Sequence, residues 1–444
     1  MIIKPSRLCL SSVTALLVLA IALGSAQALA WPVPLWLPIS LTAVYIALVL
    51  LAVFDAWLAY RQAAPSFQRQ LPQSLSLGRY TEVQLNISHP SQRRVVVEYF
   101  DHLPDSFEFA QLPHQVTLQP GHISSTHYRI KPLQRGRFLL NNCALRMPSP
   151  LRLWTAQYLL QQPNPLRVYP DFSRLQSGEL QATEQWLNQL GVQQQQRRGS
   201  GLEFHQLREF RADDSLRHID WKATARKRTP IAREYQDERD QQVIFLLDCG
   251  RSMRSHDGAL SHLDHALNAC LLLAYTALRQ GDAVGVHTFA GEQRRIAPRK
   301  GRAHMSVLLN GLYDIQASQE SADYSTTVKQ FLVMQKRRAL VIVISNLADE
   351  ADSDLVRAMQ QLKKHHRTLL VSLREEVLDQ VRAETVDHYQ QALLYCGGVD
   401  YALAKQRNQQ RLLSQGIDVV DVRPSQLTGT LISQYLQMKK SGHY

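Results

Sequence analysis

Two residues in this chain are placed to do chemistry with a cation or a partner. Asp248 and Ser252 close the stretch Gln242–Met253, which reads Q-V-I-F-L-L-D-C-G-R-S-M. Five unbroken apolar residues, Val243 to Leu247, lead into the carboxylate. A short continuous run rich in β-branched and aromatic residues predicts a strand buried on both faces. A carboxylate and a hydroxyl at the carboxyl end of such a strand lie where open α/β sheets bind their ligands. A divalent cation is one ligand such oxygens could take. The plainer alternative is that Ser252 caps a following helix and Asp248 accepts from nearby amides.

The elements that would position this corner follow in the sequence. A helix is predicted over Leu260–Leu278 from three-and-four spacing of leucines. Strands are predicted at Ala283–Phe289, around Arg294–Ala297, and at Ala339–Ser345, Thr368–Leu373 and Ile417–Val422. Helices are predicted near Met305–Ile315, Thr326–Met334, Leu355–Lys364 and Tyr401–Ser414. This alternation predicts an α/β domain over 241–444, a mainly parallel sheet with helices on both faces. His365-His366, beside Lys363 and Lys364, is read as a solvated helix end rather than a ligand pair.

Upstream, 65–170 is a series of short alternating strands parted by Pro- and Gly-containing turns, which predicts a β-sandwich-like domain. Its histidines occur singly, in no metal-ligand spacing. Residues 171–240 form a linker and a charged segment. Asp171–Gln196 is predicted helical with a Gln-rich end, and Gly199–Asp240 carries nine basic and nine acidic residues with Phe204, Phe210, Trp221 and Tyr235 among them. Such a segment reads either as an ion-paired brace or as a docking surface, because Arg, Trp and Tyr favour interface hot spots.

The first 64 residues are different again. Leu8–Ala30 and Leu35–Tyr60 are each apolar and long enough to span a hydrocarbon core. Only Trp31-Pro32-Val33-Pro34 separates them, so a transmembrane hairpin is predicted. A signal peptide is the competing reading, since Lys4, Arg7 and Ala26-Gln27-Ala28 suit one, but a second long apolar segment follows at once. Lys4 and Arg7 precede the first span, Arg61 and Arg69 follow the second, and the link carries no basic residue. That asymmetry places both ends and the main body in the cytoplasm of a two-pass protein of a bacterial inner membrane. Asp55 reads as an interfacial acid or as a functional intramembrane one.

Composition narrows the classes. The 444 residues are 45% hydrophobic and 20% charged, so most of the chain is globular. The net charge of +12 suits an anionic membrane surface as well as nucleic acid. Without a nucleic-acid-binding signature, no nucleic acid is expected as partner. Five scattered cysteines, with no C-x-x-C pair, suit a reducing compartment. The sequence contains no G-x-x-x-x-G-K-[ST], H-E-x-x-H or G-x-S-x-G motif.

Two sets of residues carry a family resemblance. Gln242–Met253, G-D-A-V-G-V-H-T-F-A (Gly281–Ala290) and V-I-V-I-S-N (Val341–Asn346) resemble a von Willebrand factor A-like domain, whose sheet is Rossmann-like. The pattern G-S-G-L-E-F-x-x-L-R-E-F-x-x-D-D-x-x-R-x-I-D-W-K-A-T-A-R (Gly199–Arg226) resembles the signature of the family known as domain of unknown function 58. That resemblance implies a membrane hairpin, a β-rich region and a carboxyl-terminal A-type domain, with a MoxR-type AAA+ ATPase as partner. It also implies a divalent cation, Mg2+, held by D-x-S-x-S, a loop threonine and a later aspartate. The candidate ligands are Asp248, Ser252, Thr326 (or Thr327) and Asn346. Gly250 stands in place of the middle serine and Asn346 in place of the aspartate, with Asp349 a substitute if the loop bends. Arg208, Arg217, Asp220, Trp221 and Lys222 are the candidate partner-binding residues. The expected function is a non-enzymatic interaction module. The alternative is a metal-dependent hydrolase using Asp248 with Asp213, Asp214 and Asp220.

Overall fold

The computed structural model describes residues 1–29, 34, 36–90, 94–170, 198–211, 216, 219–236, 241–258, 260–346, 352–383 and 386–441. The chain divides into two compact units, Met1–Tyr169 and Pro170–Tyr444. The helix and linker expected over Asp171–Gln196 lie outside the described residues.

The first unit begins with strand β1 (Ile2–Pro5) and helices α1 (Arg7–Ala28) and α2 (Trp36–Arg61). Both helices are long and apolar enough to cross a membrane. Ser6 caps α1 by accepting from the Cys9 N–H at 3.2 Å. The strands that follow are β2 (Ser66–Gln70), β3 (Ser74–Ser76), β4 (Thr81–Ser88), β5 (Val95–Asp101), β6 (Phe107–Ala110), β7 (His114–Leu118), β8 (Ser124–Pro132), β9 (Gly136–Pro148) and β10 (Trp154–Tyr169). One sheet runs β1-β10-β9-β5-β7, with β3 parallel beside β10, and the other runs β2-β4-β8-β6. Alternate residues are buried along β4 (Val83, Leu85, Ile87) and β5 (Val97, Tyr99), the period of two that one-sided burial requires. A buried ion pair joins the sheets: Arg69 of β2 meets Asp101 of β5 at 2.5 Å, with both side chains 0% exposed. The Tyr128 hydroxyl of β8 also donates to Asp101. Removing either charge alone would leave the other buried without its counter-charge, with only neutral partners around it.

Asp55 lies buried near the end of α2. Its carboxylate accepts from the Ser149 hydroxyl at 2.5 Å and from the Leu151 and Leu153 N–H groups at 2.9 and 3.1 Å. The acid therefore fastens the β9–β10 turn to the helix.

The second unit opens with β11 (Arg198–Glu209), α3 (Trp221–Lys227) and β12 (Ile231–Gln236), the two strands pairing antiparallel. Then come β13 (Gln242–Asp248), α4 (His262–Arg279), β14 (Ala283–Phe289), β15 (Arg295–Arg299), α5 (His304–Leu312), α6 (Tyr324–Met334), β16 (Leu340–Ser345), α7 (Asp352–His365), β17 (Arg367–Leu373), α8 (Glu376–Ala383), α9 (Tyr389–Ser414), β18 (Asp418–Val422) and α10 (Leu427–Ser441). The sheet order is β15-β14-β13-β16-β17-β18. Counted along the chain this is third, second, first, fourth, fifth, sixth. All neighbours pair parallel except β15, which runs antiparallel on the edge.

Both faces of this sheet are covered. Val243, Phe245 and Leu247 pack with α4, α5 and α10, whereas Ile244 and Leu246 pack with α6 and α7. This two-sided burial is why Val243–Leu247 shows no polar alternation. The helix expected over Tyr401–Ser414 starts twelve residues earlier, at Tyr389. His366 is not part of a solvated tip: it is 2% exposed, and its ring lies 5.4 Å from that of Phe331.

Candidate functional site at the carboxyl edge of the sheet

Asp248 ends β13 with no exposed surface. Burial pushes its carboxyl above the ordinary carboxylate value, and the Ser345, Gly250 and Ser252 donors pull the other way. The Gly250 N–H donates to Oδ1 at 2.7 Å, and the Ser252 and Ser345 hydroxyls donate to Oδ2 at 3.1 and 2.5 Å. Ser345 ends β16. Because its proton goes to Asp248, its oxygen accepts from the buried Tyr324 hydroxyl, 2.8 Å away. The amide half of the plain reading is therefore present. The capping half is not: α4 is capped by Ser261, which forms a capping box with Asp264.

Gly250 lies where no side chain fits. A Cβ there would stand 2.7 Å from the Glu320 carbonyl oxygen and 3.0 Å from both Ala290 Cβ and Asp248 Oδ1. The Arg251 N–H donates to that same Glu320 carbonyl at 2.9 Å, and the Ser318 N–H donates to the Cys249 carbonyl at 2.7 Å. The 318–320 segment thus occupies the space a serine at 250 would need.

Asn346, one residue past β16, is 3% exposed. Its Nδ2 donates to Glu375 at 3.0 Å, and its Oδ1 accepts from the Lys405 ammonium at 3.3 Å. Lys405 also donates to the Leu373 carbonyl and lies 3.4 Å from Asp421. Burial holds its pKa below the ordinary lysine value, against the pull of Asp421 and Glu375. Thr326 lies exposed in the first turn of α6, where its N–H donates to Asp323 at 2.8 Å. Thr327 donates to the Asp323 carbonyl at 2.6 Å. The residue of that turn that reaches the corner is Tyr324. Asp349 lies outside the described residues.

Magnesium takes near-octahedral oxygen ligands, usually including one or two carboxylates. Here both Asp248 oxygens accept from protein donors, and the residue in place of the later aspartate is an amide held by an ammonium. Among the described residues this donor set, one buried carboxylate engaged by three donors and an amide held by an ammonium, is a poor match to a divalent cation. Among the described residues, no three His, Cys, Asp or Glu side chains are grouped to hold one.

The charged segment has its own geometry. Asp220 caps α3, accepting from the Ala223 N–H at 3.0 Å, and pairs with Arg233 at 2.9 Å. Those two donors hold its carboxyl below the ordinary value. Asp220 therefore braces the fold. Trp221 is 71% exposed, and Lys222, Arg226, Lys227 and Arg228 are exposed beside it. Arg208 is half-buried and donates to the Glu209 carbonyl at 3.0 Å. Arg217, Asp213 and Asp214 lie outside the described residues.

The family described as "Protein of unknown function DUF58" matches residues 206–392. That match begins inside β11 and ends in α9. It takes in Trp221, Asp248, Tyr324 and Ser345, and stops short of Lys405. Uncharacterized proteins of Mycobacterium bovis and Mycobacterium tuberculosis are 22% identical over 192 residues, covering 43% of this chain and 59% of theirs. The chain thus spans about three fifths of the curated relatives it matches. An aerotolerance-related membrane protein from Bacteroides fragilis superposes with a TM-score of 0.23 at 17% identity, over 30% of this chain and 67% of that one. Native alpha-2-macroglobulin from Escherichia coli gives 0.22 at 16% identity, over 24% and 17%. Scores this low fix no shared fold, so the architecture rests on the strand order and register above.

Proposed function

We propose that this chain is a membrane-anchored, non-enzymatic interaction module. It would present a von Willebrand factor A-like domain to the cytoplasm and work with a MoxR-type AAA+ ATPase. The A-like reading draws support from the strand order, the antiparallel edge strand and the placement of Asp248 at the end of the first strand. A two-pass anchor with a cytoplasmic body draws support from the two apolar helices and the placement of basic residues.

The observation that carries the non-enzymatic reading is the engagement of Asp248. Its carboxylate is buried and already engaged by three of the chain's own donors, so it is poorly placed to bind an ion or activate a water. The partner surface is α3. An exposed indole beside four cationic side chains fits an acidic face on the partner, with Trp221 as the apolar anchor.

Affinity capture of the full chain from membranes tests this. Wild type is expected to recover the cell's MoxR-type ATPase, most strongly with nucleotide trapped, and Trp221→Ala to lower the yield about tenfold. Recovery of no ATPase with either chain sinks the partnership. Turnover of phosphodiester or peptide substrates that Asp248→Asn abolishes would replace it with a hydrolase.

A further inference from the structure

We infer that the junction where both apolar helices meet the β region of the first unit binds the headgroups of anionic phospholipids. This rests on the two-span anchoring proposed above. The start of α1 and the last turns of α2 are held to one place, the β9–β10 turn. β1 pairs antiparallel with β10, setting Lys4 opposite Thr155. The Ser6 hydroxyl donates to the Arg152 carbonyl at 2.6 Å, and the Ser6 N–H to the Leu153 carbonyl at 2.9 Å. From the other helix, Asp55 grips the same turn, and the Trp154 indole donates to the Ala52 carbonyl at 2.8 Å.

This geometry sets the depth of the bilayer. The irregular backbone of the turn and the exposed Arg152 cannot lie in hydrocarbon. The hydrocarbon boundary on α2 therefore falls near Ala52. Trp36–Ala52 remains long enough to span, at the lower end of the usual range of about 17–25 residues. The rest of α2, to Arg61, rises about 13 Å further at 1.5 Å per residue, through the headgroup layer. Trp57 and Tyr60 are exposed there, and the Arg61 guanidinium lies 4.2 Å from the centre of the Trp57 ring.

The charge at that level is one-sided. Residues 1–9, 52–62 and 148–155 carry Lys4, Arg7, Arg61 and Arg152, all exposed, and a single acid, Asp55. The Asp55 carboxylate is buried and turned to backbone and Ser149 donors, so the groups this junction presents to solvent are cations, and they outnumber the one acid. Beside Arg152, Leu151 is 44% exposed, an apolar side chain next to a guanidinium, the pairing that suits a lipid–water boundary. A patch bounded by two spans faces headgroups, and a net-negative headgroup complements it.

The test uses the full chain, purified in mild detergent and offered short-chain phosphatidylglycerol or phosphatidylcholine, with bound lipid counted by native mass spectrometry. Wild type is expected to prefer phosphatidylglycerol at least tenfold, with the preference shrinking as salt is raised. Arg7→Gln with Arg152→Gln should reduce that preference about fivefold in all, with Lys4 and Arg61 supplying what remains. Arg7→Lys with Arg152→Lys should keep it, as should Arg129→Gln on β8. Equal binding of the two lipids by wild type, or full preference in the double Gln variant, overturns the inference. Alkaline carbonate extraction separates it from the anchoring: both chains are expected to stay with the membrane, and release of wild type would overturn the anchoring itself.

Discussion

Ser345 donates its hydroxyl proton to Asp248 across 2.5 Å, tying the carboxyl end of the fourth strand to that of the first. In this strand order the chain reverses direction across the sheet between those two strands, and open α/β sheets place ligands at that reversal. Here the crevice is spanned by a hydrogen-bond chain, Tyr324 to Ser345 to Asp248. The polar groups that would greet a ligand satisfy one another.

Asp248→Asn is expected to fold and to lose pH sensitivity. Asparagine keeps an acceptor for Gly250 and turns an amide toward the Ser345 and Ser252 oxygens, with no charge to desolvate. Burial raises the Asp248 pKa in the folded state. Its contribution is therefore fully present below the unfolded value of about 4 and is lost as pH rises through the native value. Melting midpoints of the full chain in detergent, taken from about pH 4 to about pH 8, should show wild type losing ground to Asp248→Asn over that window. A pH-independent gap would mean that the folded chain holds the carboxylate at its ordinary pKa. Asp248→Ala should cost about 1–3 kcal/mol, because it leaves the Gly250 N–H without its acceptor and the Ser252 and Ser345 hydroxyls without a partner at this position.

Much of this was legible in the chain itself. Val243–Leu247 carried its two-sided burial as an unbroken apolar run, and Gly250 and Asn346 showed at once that the corner departs from a cation-binding pattern. The parts that fill it were not legible. Tyr324 reaches Ser345 across 21 residues of sequence and Lys405 reaches Asn346 across 59, and no local period records such meetings. Tyr324 stands two residues before Thr326, so a motif that looks for a hydroxyl ligand selects its neighbour. Lys405 lies on a helix whose first twelve residues contain the pair Gly397-Gly398, a signal that usually interrupts a helix, which hid where this one begins.

Gly250→Ser restores the middle hydroxyl of the resembled motif, and is expected to harm the fold without creating a cation site. The new Cβ meets the Glu320 carbonyl, a backbone atom, at 2.7 Å, so the 318–320 segment must shift. Overpacking of this kind costs about 1–3 kcal/mol. Thermal midpoints with and without millimolar Mg2+ read both effects, since a bound ion raises stability by mass action. An undiminished midpoint together with an Mg2+-dependent rise would show that the segment swings aside and that a latent cation site lies beneath it.

Lys405→Met tests whether the ammonium holds the corner's second half together. At neutral pH the change takes a donor away from Asn346 Oδ1 and from the Leu373 carbonyl, while Asp421 keeps Arg374 at 2.9 Å. The expected loss is about 3 kcal/mol, toward the low end for breaking a buried ion pair because Arg374 remains. The pH dependence has a definite sign. Burial lowers the folded pKa of Lys405, so its contribution is greatest above the unfolded value of about 10.4 and is lost as pH falls through the folded value. The gap between wild type and Lys405→Met should therefore widen as pH is raised from about 8 toward about 10. Denaturant midpoints across that range read it directly, and a gap that narrows would mean that the attraction of Asp421 and Glu375 outweighs the desolvation of the ammonium.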